Sequence, residues 1–234
     1  IHKVIAFKGN LPHNNKEIEH VDYVFAGHPD ILAECIKNNK PAELLYHCFD
    51  EKILQLLNLY QSPQYPFTFI GYSGFSGFGV MHTERYRLLR SLAEVTQIQM
   101  WVLEEKDIPN STLPKDSLPL QVQFPDKCNS GVFGMEMYSI LANSDIVFNK
   151  HAEIARNHVA NMRLFETTGV GTCLISDTGK NMTDLFDKDR EIVTYNCKDE
   201  LLEKVSFLQN NKSYLIEIAK AGQKRTLKDH TLRA

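Results

Sequence analysis

The chain has 234 residues, of which 43% are hydrophobic and 24% are charged. This composition excludes intrinsically disordered and fibrous classes, and the length allows one large domain or two modest ones. The formal net charge of -3 and the sequence pI of ≈ 6.3 provide no general attraction to nucleic acid or to anionic lipid. We therefore expect a small partner, with any phosphate group recognised locally.

The cysteines indicate a reducing compartment. Their number is odd, they are widely spaced, and no two form a C-x-x-C pair, so the sequence predicts neither a disulfide framework nor a zinc site. We expect a cytoplasmic protein on this basis. The five residues are Cys35, Cys48, Cys128, Cys173 and Cys197.

The apolar runs and the first residues lead to two further expectations. No apolar run approaches the ~18 residues that a membrane span needs. The opening IHKVIAFKGN lacks the apolar region of a signal peptide. The first residue is Ile rather than Met, so we expect a fragment or a trimmed chain.

The sequence pattern of residues 1–62 predicts one α/β unit at the end of a first domain. Apolar residues at helical spacing, Ile31, Leu32 and Ile36, favour a helix between two short strands. The proline-containing linker QSPQYP marks the boundary. The predicted elements are a strand at 23–27, a helix at 29–39, a strand at 43–49, a helix at 51–60 and the linker at 61–66.

Residues 63–234 predict a second domain in which strands alternate with helices. Such alternation is typical of a Rossmann-like parallel sheet with helices on both faces. The predicted strands are 67–71, 98–104, 120–124, 145–149, 172–176 and 191–195, and the predicted helices are 83–95, 135–144, 161–169, 198–211 and 213–230.

A glycine-rich loop, YSGFSGFG, follows the first strand of this second domain. Glycine lets a backbone approach a ligand, and the amides at the start of the next helix attract an anion. Its spacing matches neither the dinucleotide fingerprint nor a Walker loop, so a flexible surface loop is the alternative to a phosphate site. The candidate contacts here are Gly71, Ser73, Gly74, Gly77 and Gly79.

A stronger group of polar residues follows the apolar strand DIVFN. In an open parallel sheet, ligands bind beyond the carboxyl ends of the strands. Lys150 and His151 come directly after this strand, so we expect both side chains at the mouth of a crevice.

The helix that starts next is a candidate site for a diphosphate and a ribose. Asn161 is predicted to cap it. Its first amides, those of Met162, Arg163 and Leu164, would then bind an anion, and Arg163 adds a positive charge. Glu166 lies three residues after Arg163, where a carboxylate can accept both hydroxyls of a ribose. An ordinary surface ion pair between these two residues is the alternative.

Several motifs in order resemble one family. The runs NMRLFETTGVGTCLISD, NMTDLFDKDREIVTYNCKDELLEKVSFL and AKAGQKRTLKDHT look like the C-terminal domain of the spore-maturation-protein (CgeB-like) glycosyltransferases, which are related to the group 1 glycosyltransferases. GMEMYSILANSDIVFNKH resembles that family's approach to the donor site, and DYVFAGHPDILAEC with LLYHCFD resembles the end of its N-terminal domain. The likeness covers roughly residues 67–231. It implies a GT-B fold, in which two Rossmann-like domains face each other and the second holds a nucleotide diphosphate sugar.

The resemblance also implies roles for individual residues. Glu166 matches the glutamate that binds the ribose, and the helix start at 162–164 matches the diphosphate cradle, with Lys150 and Arg163 as additional charges. The related group 1 enzymes carry a second glutamate eight positions earlier, which contacts the transferred sugar, and that position here is His158. This departure leaves retaining and inverting chemistry open.

Phe133 lies in the segment that resembles the family's base-binding loop. Ordinary packing is the alternative for a phenylalanine at this position. The catalytic residue is not identified by any motif. His151 and His158 are the candidates, and His28 and His47 lie near strand ends of the first unit, where an acceptor-activating base could sit.

With the resemblance, we expect a metal-independent glycosyltransferase that uses no cofactor and does not bind nucleic acid. It would transfer a sugar from a nucleotide diphosphate sugar to a glycan or another hydroxyl acceptor. Residues 1–62 would be the closing part of a truncated acceptor domain, and residues 63–234 the donor domain. A non-catalytic nucleotide- or glycan-binding module and a nucleotide-sugar epimerase remain the alternatives.

Overall fold

The structure is a computed structural model that describes residues 3–9, 18–58, 62–74, 83–103, 118–152 and 157–233. Within these ranges the chain forms two parallel sheets with flanking helices, so the predicted α/β class is confirmed. The strands are β1 (Ile5–Lys8), β2 (Tyr23–Ala26), β3 (Ala42–Leu44), β4 (Thr68–Gly71), β5 (Gln99–Val102), β6 (Cys128–Ser130), β7 (Ile146–Asn149), β8 (Cys173–Asp177) and β9 (Val193–Tyr195).

The helices connect these strands and cover the sheets. They are α1 (Pro29–Lys37), α2 (Ile53–Leu56), α3 (Thr83–Val95), α4 (Leu120–Gln123), α5 (Gly134–Ala142), α6 (Met162–Gly169), α7 (Met182–Leu185), α8 (Lys198–Asn210) and α9 (Lys212–Asp229). The first sheet has the strand order β1-β2-β3, and the second has the order β6-β5-β4-β7-β8-β9.

Alternate residues of the second sheet face two separate apolar cores. On β7, Ile146 and Phe148 face one core, and Val147 faces the other. Residues of α3, α8 and α9 complete the first core, whereas residues of α5 and α6 complete the second. The prediction of helices on both faces is therefore confirmed. Strands buried on both faces read as continuous apolar runs, which is why these strands could be predicted.

The strand order of the second sheet reverses beside β4. The chain runs outward from β4 to β5 and β6, and then returns through α5 to place β7 on the other side of β4. Neighbouring connections leave such a point in opposite directions, so a crevice opens at the carboxyl ends of the two strands. A ligand site is expected at this edge.

The first sheet carries α1 on one face. Ile31 and Cys35 of this helix pack against Val24 of β2. The helix begins after His28, whose Nδ1 accepts a hydrogen bond from the Asp30 amide at 3.2 Å. This cap places the His28 ring at the carboxyl end of β2.

Phe49 joins the first sheet to the second. Its amide donates to the carbonyl of His230 at 2.8 Å, just beyond the end of α9. Its ring fills the space beside Gly169, where an added Cβ would overlap it. Tyr46 makes a second link, because its hydroxyl accepts a hydrogen bond from Asn181 Nδ2 at 3.1 Å.

The predicted strand at 120–124 is wrong. This segment contains the short helix α4, followed by a 3₁₀ turn at Pro125–Lys127. The alternation of apolar and polar residues in LQVQF is typical of a strand, but Leu120 is the buried residue of the segment. Pro119 and Pro125 flank it, and proline interrupts strand pairing.

Other differences concern short elements. The predicted strand at 43–49 is limited to β3, and of the predicted helix at 51–60 the described residues contain only α2. Three elements were not predicted, namely β1, β6 and α7. Each has four residues or fewer, and β6 carries polar residues at the edge of its sheet, so periodicity gives little signal.

No helix within the described ranges is long and apolar enough to cross a membrane. The five cysteines are free thiols, and Cys35 and Cys173 are buried.

Candidate functional site

A pocket of about 350 Å³ lies at the predicted edge of the second sheet. The carboxyl ends of β4 and β5, the residues that follow β6, and the first turns of α5 and α6 surround it. Its wall is largely apolar, formed by side chains such as Ile70, Trp101 and Met137. Arg163 and Glu166 contribute its charged groups. We call this cavity the apolar pocket.

Arg163 and Glu166 form an ion pair within this pocket. Their side chains meet at 2.8 Å and are only 14% and 13% exposed. Arg163 also donates to the Ile70 carbonyl at 3.2 Å, which ties α6 to β4. Burial raises the pKa of Glu166, although Arg163 opposes the shift. The alternative of an ordinary surface ion pair is therefore wrong, because the pair lies in the wall of a cavity.

Tyr138 lies in the same wall and was not predicted as a site residue. Burial, reinforced by the neighbouring Glu166 carboxylate, raises the pKa of Tyr138 to about 12. The phenol thus keeps its proton at neutral pH and can donate a hydrogen bond into the pocket. Periodicity on α5 could not identify it, because its position beside Glu166 depends on the packing of α5 against α6.

The rim of the pocket is open and apolar. Phe133 is 70% exposed and Met162 is 55% exposed, and both line the cavity. Gly131 lies so close to Leu103 that an added Cβ would approach its Cδ2 to 2.7 Å. Gly134 has φ +57, a conformation that favours glycine, and nothing lies within 4 Å of an added Cβ. The rim therefore leaves room for a flat group beside the Phe133 ring.

The start of α6 differs in detail from the prediction. Asn161 occupies the cap position, but its side chain makes no capping hydrogen bond. Instead its Nδ2 donates to Asn149 Oδ1 at 2.8 Å. The Leu164 amide donates to the Asn161 carbonyl at 3.2 Å, and the Leu164 side chain is fully buried. This amide thus already has an acceptor, and the expectation that it binds an anion stays a prediction.

The first amides of α6 lack acceptors within the helix for a general reason. In any α-helix the first N–H groups have no carbonyl one turn earlier, and they carry the positive end of the helix dipole. In α6 these are the amides of Met162 and Arg163, at the edge of the apolar pocket. Their position suits a negatively charged group.

A group of polar side chains, three of them acids or bases that pair with each other, lies beside this helix start at the carboxyl ends of β7 and β8. Lys150 Nζ contacts Asp177 Oδ2 at 3.0 Å and Glu84 Oε2 at 3.3 Å. Asp177 Oδ1 accepts from the His151 amide at 2.9 Å and lies 2.7 Å from His151 Nδ1. We call Lys150, His151, Asp177 and Glu84 the ammonium cluster.

The electrostatics of the cluster centre on Asp177. Burial by itself would raise the pKa of Asp177, but the His151 ring, the His151 amide and the Lys150 ammonium hold that pKa well below its usual range. Burial would lower the pKa of Lys150, and the carboxylates of Asp177 and Glu84 raise it instead. The ammonium and the Asp177 carboxylate therefore both remain charged at neutral pH.

His151 is held at both ring nitrogens. Its Nδ1 faces Asp177, and its Nε2 accepts a hydrogen bond from the Asn161 amide at 3.4 Å. The neutral ring with the proton on Nδ1 satisfies both contacts. The ring is 4% exposed, so it links the end of β7 to the start of α6 rather than presenting a nitrogen to a ligand.

His158 does not line the apolar pocket and instead contacts the residues at the start of α1. Its Nδ1 is 3.1 Å from Asp30 Oδ1, without the geometry of a hydrogen bond, and its ring stands perpendicular to that of His28 with centroids 5.7 Å apart. Burial lowers the pKa of His28. The contact joins the carboxyl end of β2 to the loop after β7.

The glycine-rich loop is described in part. Gly71 ends β4 with φ +152 and lines the apolar pocket. Ser73 is fully buried, and Gly74 has φ +90. Gly77 and Gly79 lie outside the described residues.

Paired carboxylates can hold a divalent cation, and the sequence contains one Asp-x-Asp triplet, Asp187 with Asp189. These side chains pair with Arg190 and Lys204, before β9 and therefore at the amino-terminal edge of the sheet. In the part of the chain that the structure describes, no three His, Cys, Asp or Glu side chains are grouped to hold a metal ion.

Solved structures share this fold along almost the whole chain. HepE from Anabaena, in complex with UDP-glucose, matches with a TM-score of 0.69 and 9% identity, over 98% of this chain and 68% of that chain. The sucrose-phosphate synthase of Thermosynechococcus elongatus matches with a TM-score of 0.64 and 12% identity, over 98% and 64%. A glycosyltransferase from Rickettsia africae ESF-5 matches with a TM-score of 0.64 and 13% identity, over 98% and 66%.

These likenesses confirm the predicted GT-B fold. The chain spans about two thirds of the length of these structures, from 64% to 68%. A search among curated proteins found no match. The sequence profile of the family described as Glycosyl transferase-like matches residues 85–234, which is more than half of the chain. The chain belongs to this family of glycosyl transferase-like proteins.

Proposed function

We propose that the chain binds a nucleotide diphosphate sugar and serves, without a metal ion, in the transfer of its sugar to a hydroxyl acceptor. The observation that carries this proposal is the buried Arg163–Glu166 pair. It lies in a cavity at the point where the strand order reverses, and the first residues of α6 line the same cavity. Lys150 directly follows β7 at this edge of the sheet. A nucleotide diphosphate sugar needs a carboxylate for its ribose, positive groups for its diphosphate and an apolar wall for its base.

In this arrangement the apolar pocket receives the nucleoside. The ribose hydroxyls donate to Glu166, whose carboxylate keeps acceptor capacity beyond its bond to Arg163. The base stacks near Phe133 on the open rim. Tyr138 contributes a hydroxyl to the same wall.

The diphosphate extends from the pocket toward Lys150. Gly71, Met162 and Arg163 line the pocket at this edge, and Ser73 and Gly74 follow Gly71 in the chain. The amides of Met162 and Arg163 supply the local positive field of a helix start. Departure of the nucleoside diphosphate develops negative charge, and preorganised amides with an ammonium stabilise that charge. This is the chemistry that a divalent cation supplies in metal-dependent transferases.

The acceptor would approach from the side of the first sheet. We assign residues 1–62 to the acceptor domain and residues 63–234 to the donor domain. His158 and His28 face each other at this boundary, and His158 remains a candidate for contact with the transferred sugar or the acceptor. We do not propose His151 as a catalytic base, because both of its ring nitrogens already contact protein groups.

Similarity to other proteins supports the choice of donor. HepE binds UDP and UDP-glucose on the same fold, which favours a uridine nucleotide among the possible donors. We further propose membership of the CgeB-like branch, on the motifs around Asn161 and Glu166. The free thiols agree with a reducing, cytoplasmic location.

Calorimetric titration with UDP, GDP, TDP and CMP, without added metal, tests the proposal. We expect one diphosphate to bind, and Glu166→Ala to weaken it by about 1–3 kcal/mol through lost buried hydrogen bonds. Glu217→Ala, on the exposed side of α9, is the matched control and should bind like the wild type. Failure of a folded wild-type chain to bind any of the four at millimolar concentration would overturn the donor-site assignment.

Turnover separates the enzyme from a binding module. The longer polypeptide that restores the length of the structural neighbours should release nucleoside diphosphate from the bound donor when an acceptor is supplied. Tight donor binding with no release in any acceptor screen would favour the non-catalytic module.

A further inference from the structure

We propose that the two carboxylates on Lys150 have opposite roles, such that Asp177 holds the ammonium at the diphosphate site and Glu84 covers it until a diphosphate takes its place. The inference rests on the proposed function, because it concerns the anion that Lys150 receives. It assigns a role to two residues that no motif singled out.

Asp177 is built as a permanent anchor. It ends β8, its side chain is 15% exposed, and it accepts from Lys150 Nζ, the His151 amide and His151 Nδ1 at 3.0, 2.9 and 2.7 Å. These donors come from the residues that follow the neighbouring strand β7. Moving Asp177 away would leave two His151 donors without their acceptor and would remove the nearer of the two carboxylates on Lys150, so this carboxylate stays in place when a ligand arrives.

Glu84 has the opposite character. Its side chain is 59% exposed, it lies in the first turn of α3, and its contact with Lys150 is the longer of the two at 3.3 Å. Exposed ion pairs contribute little to stability, because water can replace either partner. A rotation of this side chain into solvent exchanges its contact with Lys150 for water and uncovers the ammonium.

Arg85 shows that the ammonium cluster and the apolar pocket are neighbours. Its guanidinium donates to the Lys150 carbonyl at 2.6 and 3.1 Å and to the Tyr72 carbonyl at 3.2 Å. Tyr72 directly follows Gly71 in the pocket wall. These bonds hold the backbone of Lys150 independently of Glu84, so the lysine keeps its position when Glu84 leaves.

The exchange of anions follows from charge. With Glu84 in place, the ammonium lies between two carboxylates and offers little attraction to an incoming anion. A diphosphate carries more charge than one carboxylate, and the first turn of α3 favours either anion. Replacement of Glu84 by the diphosphate therefore keeps every charge in the cluster compensated.

The test applies the same isosteric change to both carboxylates. Glu84→Gln should strengthen binding of UDP and of inorganic pyrophosphate by about 3- to 10-fold, whereas Asp177→Asn should weaken both by about 10-fold. Neither should alter the affinity for uridine, which lacks the diphosphate. Glu94→Gln, on the same helix and paired with Arg90, is the control and should change nothing.

Lys150→Ala provides the second measurement. In that background Glu84→Gln should have no effect on UDP affinity, because the group that Glu84 covers is gone. An unchanged or weaker UDP affinity in Glu84→Gln would overturn the exchange. An equal loss of UDP and uridine affinity in Asp177→Asn would show that Asp177 supports the fold and not the ammonium.

The pyrophosphate arm separates this proposal from the proposed function. If the wild type binds pyrophosphate but none of the nucleotides, the donor assignment fails while the Glu84 and Asp177 variants still decide the exchange. If UDP binds and neither Glu84→Gln nor Asp177→Asn changes the affinity for pyrophosphate, the donor assignment stands and the exchange of Glu84 for the diphosphate is overturned.

Discussion

The apolar pocket and the ammonium cluster lie on the same edge of one sheet, and each contains an acid paired with a base at nearly the same distance. The Arg163–Glu166 pair measures 2.8 Å and the Lys150–Asp177 pair 3.0 Å. Their carboxylates behave differently, since the pKa of Glu166 is raised by burial and that of Asp177 is lowered by its donors. Burial alone does not predict the state of a carboxylate, because nearby positive charges and donated hydrogen bonds also shift its pKa.

The two carboxylates also differ in how they can act on a ligand in the proposed site. Glu166 is buried with an arginine and retains acceptor capacity for a ligand. Asp177 is surrounded by donors from His151 and Lys150. In the proposed site it acts on the diphosphate only through the lysine that it positions.

Removing the basic residue of the pocket pair should lower the free energy of unfolding more than removing the basic residue of the cluster pair. Arg163→Ala leaves the Glu166 carboxylate buried without its partner, which we expect to lower the free energy of unfolding by about 3–5 kcal/mol. Lys150→Ala leaves Asp177 with its His151 bonds, and we expect a loss of about 1–2 kcal/mol. Urea denaturation of both variants at pH 7 measures the difference, and equal losses would contradict the contrast.

The isosteric variants should change stability with pH in opposite directions. The folded pKa of Asp177 lies below its unfolded value, so the stability that its charge contributes is present above about pH 4 and is lost as the pH falls toward the folded pKa. We expect Asp177→Asn to be less stable than the wild type by about 2 kcal/mol at pH 7, with the gap closing in acid.

Glu166 provides the reverse case. Its folded pKa lies above the unfolded value, so ionisation of the folded protein costs free energy once the pH exceeds about 4.3. Relative to Glu166→Gln, the wild type should therefore lose stability as the pH rises. Unfolding curves between pH 3 and about 8 compare the wild type with Asp177→Asn and with Glu166→Gln. If the stability difference between wild type and variant changes with pH in the same direction for both, the opposite pKa shifts of the two carboxylates are refuted.

The smallest effect is expected at the rim. Phe133→Ala should weaken nucleoside binding by about 1 kcal/mol, the typical contribution of one aromatic contact, and should leave the melting temperature unchanged because the ring is 70% exposed. Pyrophosphate affinity should not change. A loss of pyrophosphate affinity in this variant would mean that the pocket and the cluster are not separable.

Much of the second sheet could be predicted because its strands are short apolar runs between amphipathic helices. The strands at 145–149 and 172–176 and the helix at 161–169 agree with β7, β8 and α6 to within a residue. The prediction for segment 120–124 was wrong. Its alternation of apolar and polar residues resembles that of a strand, but it forms the short helix α4 between two prolines.

Spacing along the chain also indicates which residues meet within one element. Arg163 and Glu166 are neighbours on a helix by spacing, and Lys150 and His151 follow a strand end, so their proximity to the site needed no tertiary information. Contacts between side chains of different elements depend instead on how the sheet and its helices pack. The bonds of Asp177 to the residues after β7, the Glu84 contact from α3 and the place of Tyr138 in the pocket wall all join separate elements. The order of strands in the sheet creates these contacts, and periodicity along one segment carries no information about that order.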